Sequence, residues 1–144
     1  MAIVAASIAA VVIVADQVSK HFVVRDINVG ERVDVIGPLQ FTQTHNEGVA
    51  FGIASGGGIL VIGLSLIALV ALGAYLARGP RSKPVWVASG LILGGAVGNL
   101  VDRLRIDHVT DFILFPHWPA FNLADCAITI GVVILTWSLL SEAE

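Results

Sequence analysis

The sequence predicts an all-α membrane protein, with four transmembrane helices and a small extracytoplasmic β-sheet between the first and second of them. Three observations carry that expectation. Of 144 residues, 56% are hydrophobic and only 13% charged, whereas a soluble domain carries charge at about a quarter of its positions. Four stretches, about 3–24, 59–77, 85–104 and 123–140, come close to the roughly 20 apolar residues that cross a bilayer. Between the first two lies 25–58, which is polar and the one connection long enough for an extramembrane unit. The whole of 1–144 then forms a single membrane-embedded domain.

The first span carries Asp16 and Lys20 four residues apart, on one helix face. They read either as an ion pair that lets two charges sit at membrane depth or as part of a site. Ala2 to Ala15 resembles the apolar core of a cleaved signal peptide. However, no basic residue precedes it, and Asp16 and Lys20 continue its face, so it is expected to be retained. In 25–58, the pieces Arg32-Val33-Asp34-Val35 and Leu39-Gln40-Phe41-Thr42-Gln43-Thr44 alternate around Gly37-Pro38, which predicts two or three short strands with a turn. Gly56-Gly57-Gly58 gives a flexible entry to the second span, which has no ionisable side chain before Arg78.

Gly79-Pro80 and Pro84 bound a tight loop to the third span. Arg78, Arg81 and Lys83 fall within its seven positions, which places it in the cytoplasm together with both termini. The opposite side holds more basic residues, Lys20, Arg25, Arg32, Arg103 and Arg105. The loop outweighs them, because Lys20 and Arg103 lie at helical spacing from acids or amides that can serve as partners. In the third span, Gly94-Gly95-Ala96-Val97-Gly98 suits close helix packing better than a phosphate loop. Asn99, Asp102 and Arg103 gather an amide, an acid and a guanidinium at its end, as an interhelical clamp or as part of a site. At the start of the fourth span, Asn122 is placed to cap the helix, which turns Asp125 back toward the short loop that holds Asp111.

Asp111 and Asp125 are the strongest candidates for chemistry. Singly they read as a loop carboxylate in water and a first-turn acid favoured by the helix dipole. Jointly, at a membrane boundary where polar span ends converge, they form a site. Two close carboxyls share one proton, so one can take a proton from water while the other donates to a carbonyl oxygen, as metal-free amide hydrolysis requires. Other chemistries find less support. Cys126 has no partner for a disulfide, and no two of His21, His45, His108 and His117 have helical ligand spacing, so no metal or cofactor is expected. Ser19 and Lys20 are neighbours that diverge by about 100° on a helix, which disfavours a Ser-Lys dyad. Cys126 reads as packing. A net charge of -3 without any block of like charge speaks against nucleic acid as a partner.

Five ordered motifs resemble the lipoprotein signal peptidases, the signal peptidase II family. They are Asp16-Gln17-Val18-Ser19-Lys20, Asn46-Glu47-Gly48-Val49-Ala50-Phe51-Gly52, the run from Gly94 to Arg103, Val109-Thr110-Asp111-Phe112-Ile113, and Phe121-Asn122-Leu123-Ala124-Asp125. The resemblance implies a four-helix aspartyl peptidase of the bacterial cell membrane. Such an enzyme removes the signal peptide from diacylglyceryl-modified prolipoproteins just before the lipidated cysteine, so its partners are those precursors and membrane lipids. It implies Asp111 and Asp125 as the catalytic pair on the extracytoplasmic side. Asn46, Asn99, Arg103 and Asn122 would line or brace the site, with Asp16, Lys20 and Asp102 in support. Two features depart from the family pattern: the aspartates stand only 14 positions apart, and the N-terminus lacks the usual basic residues. A small four-span transporter using intramembrane carboxylates is the rival reading. It requires a carboxylate near the middle of a span, whereas Asp111 and Asp125 lie at span ends. A structural subunit, the third reading, would leave both aspartates replaceable.

Overall fold

The computed structural model describes residues 1–48, 57–79 and 82–142. Along the chain run α1 (Ala2–Asp26), β1 (Arg32–Ile36), β2 (Leu39–Asn46), α2 (Gly57–Ala77), α3 (Lys83–Ile106), β3 (Val109–Leu114) and α4 (Leu123–Glu142). All four helices are long and apolar enough to cross a membrane, and each starts and ends within two residues of the span expected from the sequence. Positions 49–52 of the Asn46 motif, Gly56 of the glycine entry, and Pro80 and Arg81 of the basic loop lie outside the described residues.

Glycine allows the bundle to pack without a hydrophobic driving force between helices. Gly90, Gly94 and Gly98 repeat every fourth residue and turn one face of α3 to α1. A Cβ on Gly90 would stand 2.7 Å from the Ala5 carbonyl oxygen, and one on Gly94 would stand 2.7 Å from the Val12 Cβ and 2.9 Å from the Ala9 oxygen. The ascending order of these pairs makes α1 and α3 parallel. On another face of α3, Gly95 abuts Ala124 and Ile128, while Gly131 of α4 abuts Ala88 and Ile92, so α4 runs antiparallel to α3. Among the described elements, helix α2 packs on α3 alone and leaves Leu64, Ile67 and Val70 exposed, as expected of side chains that face lipid.

The sheet sits at the end of the bundle where α1 and α3 finish and α4 begins. Gly37, at φ 55°, reverses the chain between β1 and β2. The antiparallel order is β1-β2-β3, so one strand comes from between α3 and α4. Asp111 therefore stands in a strand, where the sequence suggested a loop. Val109-Thr110-Asp111-Phe112-Ile113-Leu114 is rich in β-branched and aromatic residues, and β2 supplies its backbone partners, with Thr44 opposite Asp111 and Asn46 opposite Val109. Asp107, at φ 62°, ends α3 and redirects the chain into this strand. After β3 the chain closes on itself: Phe121 N–H donates to the Ile113 carbonyl at 3.0 Å, and the Phe121 carbonyl accepts from Ile113 N–H at 2.8 Å.

Candidate active site

The site grows from the cap of α4. Asp125 N–H donates to Asn122 Oδ1 at 2.9 Å, and Asn122 N–H donates back to Asp125 Oδ2 at 3.3 Å. This is a capping box with an aspartate in the third helical position. Asn122 is thereby the cap expected from the sequence, and its side-chain nitrogen is free to reach outward. It donates to Asp111 Oδ1 at 2.7 Å and to Asn99 Oδ1 at 3.2 Å. One asparagine thus ties the two aspartates together.

Each carboxylate has further amide donors. Asn46 Nδ2 lies 3.0 Å from the other oxygen of Asp111, and Asn99 Nδ2 lies 2.8 Å from Asp125 Oδ1. Asn46 is itself oriented by Gly48 N–H, which donates to its side-chain oxygen at 2.9 Å. Asp111 is buried at 2% exposure, while Asp125 is half-buried. Burial is the main force on the Asp111 carboxyl and, with the nearby charge of Asp125, raises it. The amides of Asn46 and Asn122 and the Lys20 charge oppose this, and the balance leaves it pushed up to about 6.

Behind this pair lies an ionic brace. Lys20 Nζ donates to Asp16 at 2.8 Å, to Asp102 at 2.8 Å and to Asn99 Oδ1 at 3.1 Å, which uses all three hydrogens of the ammonium. Asp16 Oδ1 also accepts from Ala124 N–H at 3.0 Å, so α1 caps a second free amide of α4. Asp102 accepts from Thr110 N–H at 3.3 Å and anchors β3. Asp16, Lys20 and Asp102 therefore stand one step behind the carboxylate pair and reach it through Asn99 and the α4 cap. Gln17, which the sequence reading passed over, donates to Asp102 at 2.8 Å and to the Gly98 carbonyl at 3.2 Å. Its position one residue after Asp16 was the available signal.

Arg103 differs from expectation. Among the described residues it forms no hydrogen bond or ion pair, and its charge acts on Asp125, Asp111 and Asp102 from farther away. Among the described residues no three His, Cys, Asp or Glu side chains are grouped to hold a metal ion.

Among the described residues, two clefts open at the carboxylates. One, of about 530 Å³, runs over the sheet past Thr42, Thr44, Asn46 and Asp111. The other, of about 510 Å³, descends α4 from Asp125 past Cys126, Thr129 and Ile130.

A four-helix membrane bundle, roofed by a small sheet and holding two amide-bridged carboxyls at its boundary, has the make-up of a membrane aspartyl peptidase. The chain belongs to the signal peptidase II family: the family model described as Signal peptidase (SPase) II matches residues 8–141. A lipoprotein signal peptidase from Moorella thermoacetica is 41% identical over 138 residues, spanning 94% of this chain and 92% of the relative. Another from Cupriavidus necator is 41% identical over 135 residues, spanning 88% and 77%. Two solved structures described as a bacterial membrane enzyme superpose with TM-scores of 0.86 and 0.87. Identities are 33% and 34%, over 97% and 94% of this chain and 89% and 92% of theirs.

Proposed function

We propose that this protein removes the signal peptide from diacylglyceryl-modified prolipoproteins, cutting on the N-terminal side of the lipidated cysteine, with Asp111 and Asp125 as the catalytic pair. The observation that carries this reading is Asn122, whose side chain donates to Asp111 while its cap holds Asp125. With one proton on the pair, Asp111 donates to the scissile carbonyl oxygen while Asp125 takes a proton from water, whose oxygen attacks the carbonyl carbon. The gem-diol collapses when Asp111 recovers its proton from a diol hydroxyl and Asp125 protonates the departing amine, which restores the starting pair. Asn46, Asn99 and Asn122 fix the carboxyls, and Arg103, unpaired among the described residues, is available to the peptide or lipid headgroup. Asp16, Lys20 and Asp102 hold the frame.

In this reading the chain is a single domain of the bacterial cell membrane, with the site on the extracytoplasmic side and both termini in the cytoplasm. The transporter reading gains nothing from the structure, since both aspartates lie at the boundary beside the sheet. The test is cleavage of a lipid-modified precursor by purified protein. Asp111→Asn and Asp125→Asn should each abolish turnover while inserting and folding normally, and exhaustive chelation should leave the wild type active. Wild-type turnover by either variant would sink the assignment, and zinc-restored activity after chelation would sink the mechanism.

A further inference from the structure

Of the described residues, Trp118 alone lines both clefts, the polar one that contains Asp111 and the apolar one that contains Asp125. It is an aromatic side chain left 66% exposed, yet its backbone is tightly held. The pairing of Ile113 with Phe121 closes the base of its loop, and the rings of Phe115 and Phe121 stack at 6.3 Å. Trp118 N–H returns to the Phe115 carbonyl at 3.2 Å, across Pro116 and a left-handed His117 at φ 63°, and Pro119 follows. An exposed indole presented by so constrained a turn is positioned for something outside the chain.

The two clefts differ in what they can accept. An extended peptide brings backbone N–H and C=O groups that must find partners, above all near hydrocarbon. The cleft over the sheet offers Thr42, Thr44 and Asn46. Below Asp125, the cleft along α4 is lined mainly by the rings of Trp118 and Phe121 and the aliphatic Ile130, with Thr129, the weakly polar Cys126 thiol and the Trp118 indole N–H as its other hydrogen-bonding groups. Thr129 and Ile130 are exposed on the surface of the helix. Acyl chains have no polar groups to satisfy, and they already lie in the bilayer.

Resting on the function proposed above, we propose that Trp118 is a specificity-determining residue that divides the substrate. The peptide after the scissile bond lies in the cleft over the sheet, and the acyl chains on its cysteine lie along α4 against Phe121, Thr129 and Ile130. The indole packs between them, its apolar body on the chains and its N–H toward the polar side, as tryptophan does at membrane interfaces. It touches substrate without taking part in proton transfer, so its loss weakens binding of the lipidated form and spares the chemical step.

The experiment measures kcat and KM for one precursor carrying either full-length or short acyl chains, using wild type, Trp118→Ala and Trp118→Phe in lipid vesicles. Trp118→Ala should raise KM for the full-length form about tenfold, leave kcat within about twofold, and erase the preference for long over short chains. Trp118→Phe should restore most of that preference, which separates contact with substrate from general damage to the loop. An unchanged KM and chain preference in Trp118→Ala, or a loss confined to kcat, would overturn the inference while leaving the peptidase reading intact. A wild-type protein that cleaves neither precursor would overturn the peptidase reading, and this inference with it.

Discussion

At the residue scale, Asp111 ties pH to both activity and stability. Its folded value of about 6 lies above the ordinary 3.8, so the folded protein holds this proton more tightly than the unfolded chain does. That contribution to stability is fully present below about pH 3.8 and is lost as pH rises through about 6. If the acid form of Asp111 donates to the carbonyl, kcat/KM should likewise fall as pH rises through about 6. The Asn46 amide favours the charged form of Asp111, so Asn46→Ala should move that descending limb to higher pH, and a pH profile of the variant checks the direction. Lys20 allows a harsher test. Lys20→Met leaves the buried carboxylates of Asp16 and Asp102 unpaired and should cost about 3–5 kcal/mol, read from unfolding in detergent. Stability within error of wild type would contradict the brace. The sequence disclosed the residues whose partners are local: the spacing of Asn122 and Asp125 already contained the cap. The bonds from Gln17 to Asp102 and from Lys20 to Asn99 join α1 to α3 across about eighty residues, and no local pattern encodes that pairing.

At the scale of elements, the helices were legible because lipid demands a length and a polarity that leave few alternatives. The third strand was not. Val109 to Leu114 is six residues long, and such a run becomes a strand only where another edge supplies its hydrogen bonds, here β2. The glycine-rich stretch of α3 was legible as packing, and the structure assigns its faces: Gly90, Gly94 and Gly98 to α1, and Gly95 to α4. Because α1 carries Asp16 and Lys20, its distance from α3 sets the geometry of the brace. Gly94→Ala places a methyl against the Ala9 backbone oxygen and the Val12 side chain, so the helices must separate. It should destabilise the protein by about 1–3 kcal/mol and lower turnover more than Gly73→Ala, whose added methyl on α2 meets no neighbour within 4 Å. Equal effects of the two substitutions would show that α1 and α3 do not rely on this contact.

For the whole molecule, the parallel packing of α1 with α3 and the antiparallel packing of α4 place Met1, the Ser82 loop and the end of α4 at one face, and the sheet and both aspartates at the other. Sequence charge alone was divided on which face lies inside: the basic loop argued for the first, while the larger number of basic residues lay on the second. The structure removes part of that conflict, because Lys20 is neutralised within the bundle by Asp16 and Asp102 and so does not bear on orientation. Arg25 pairs with Asp26 at 2.6 Å, but both side chains are exposed, so Arg25 still counts toward orientation. With Lys20 discounted, the loop that begins at Arg78 and ends at Lys83 weighs more heavily, and the sheet should face outward, where a secreted precursor presents its cleavage point. Single cysteines placed at Ser82 and at Asn28, in a Cys126→Ser background, test this directly with a membrane-impermeant thiol reagent. In intact cells the Asn28 position should label and the Ser82 position should not, and in inverted vesicles the pattern should reverse. Labelling of both from one side would refute the four-span arrangement, and labelling of Ser82 alone in intact cells would turn the molecule over and leave the aspartates on the wrong side of the membrane for a secreted substrate.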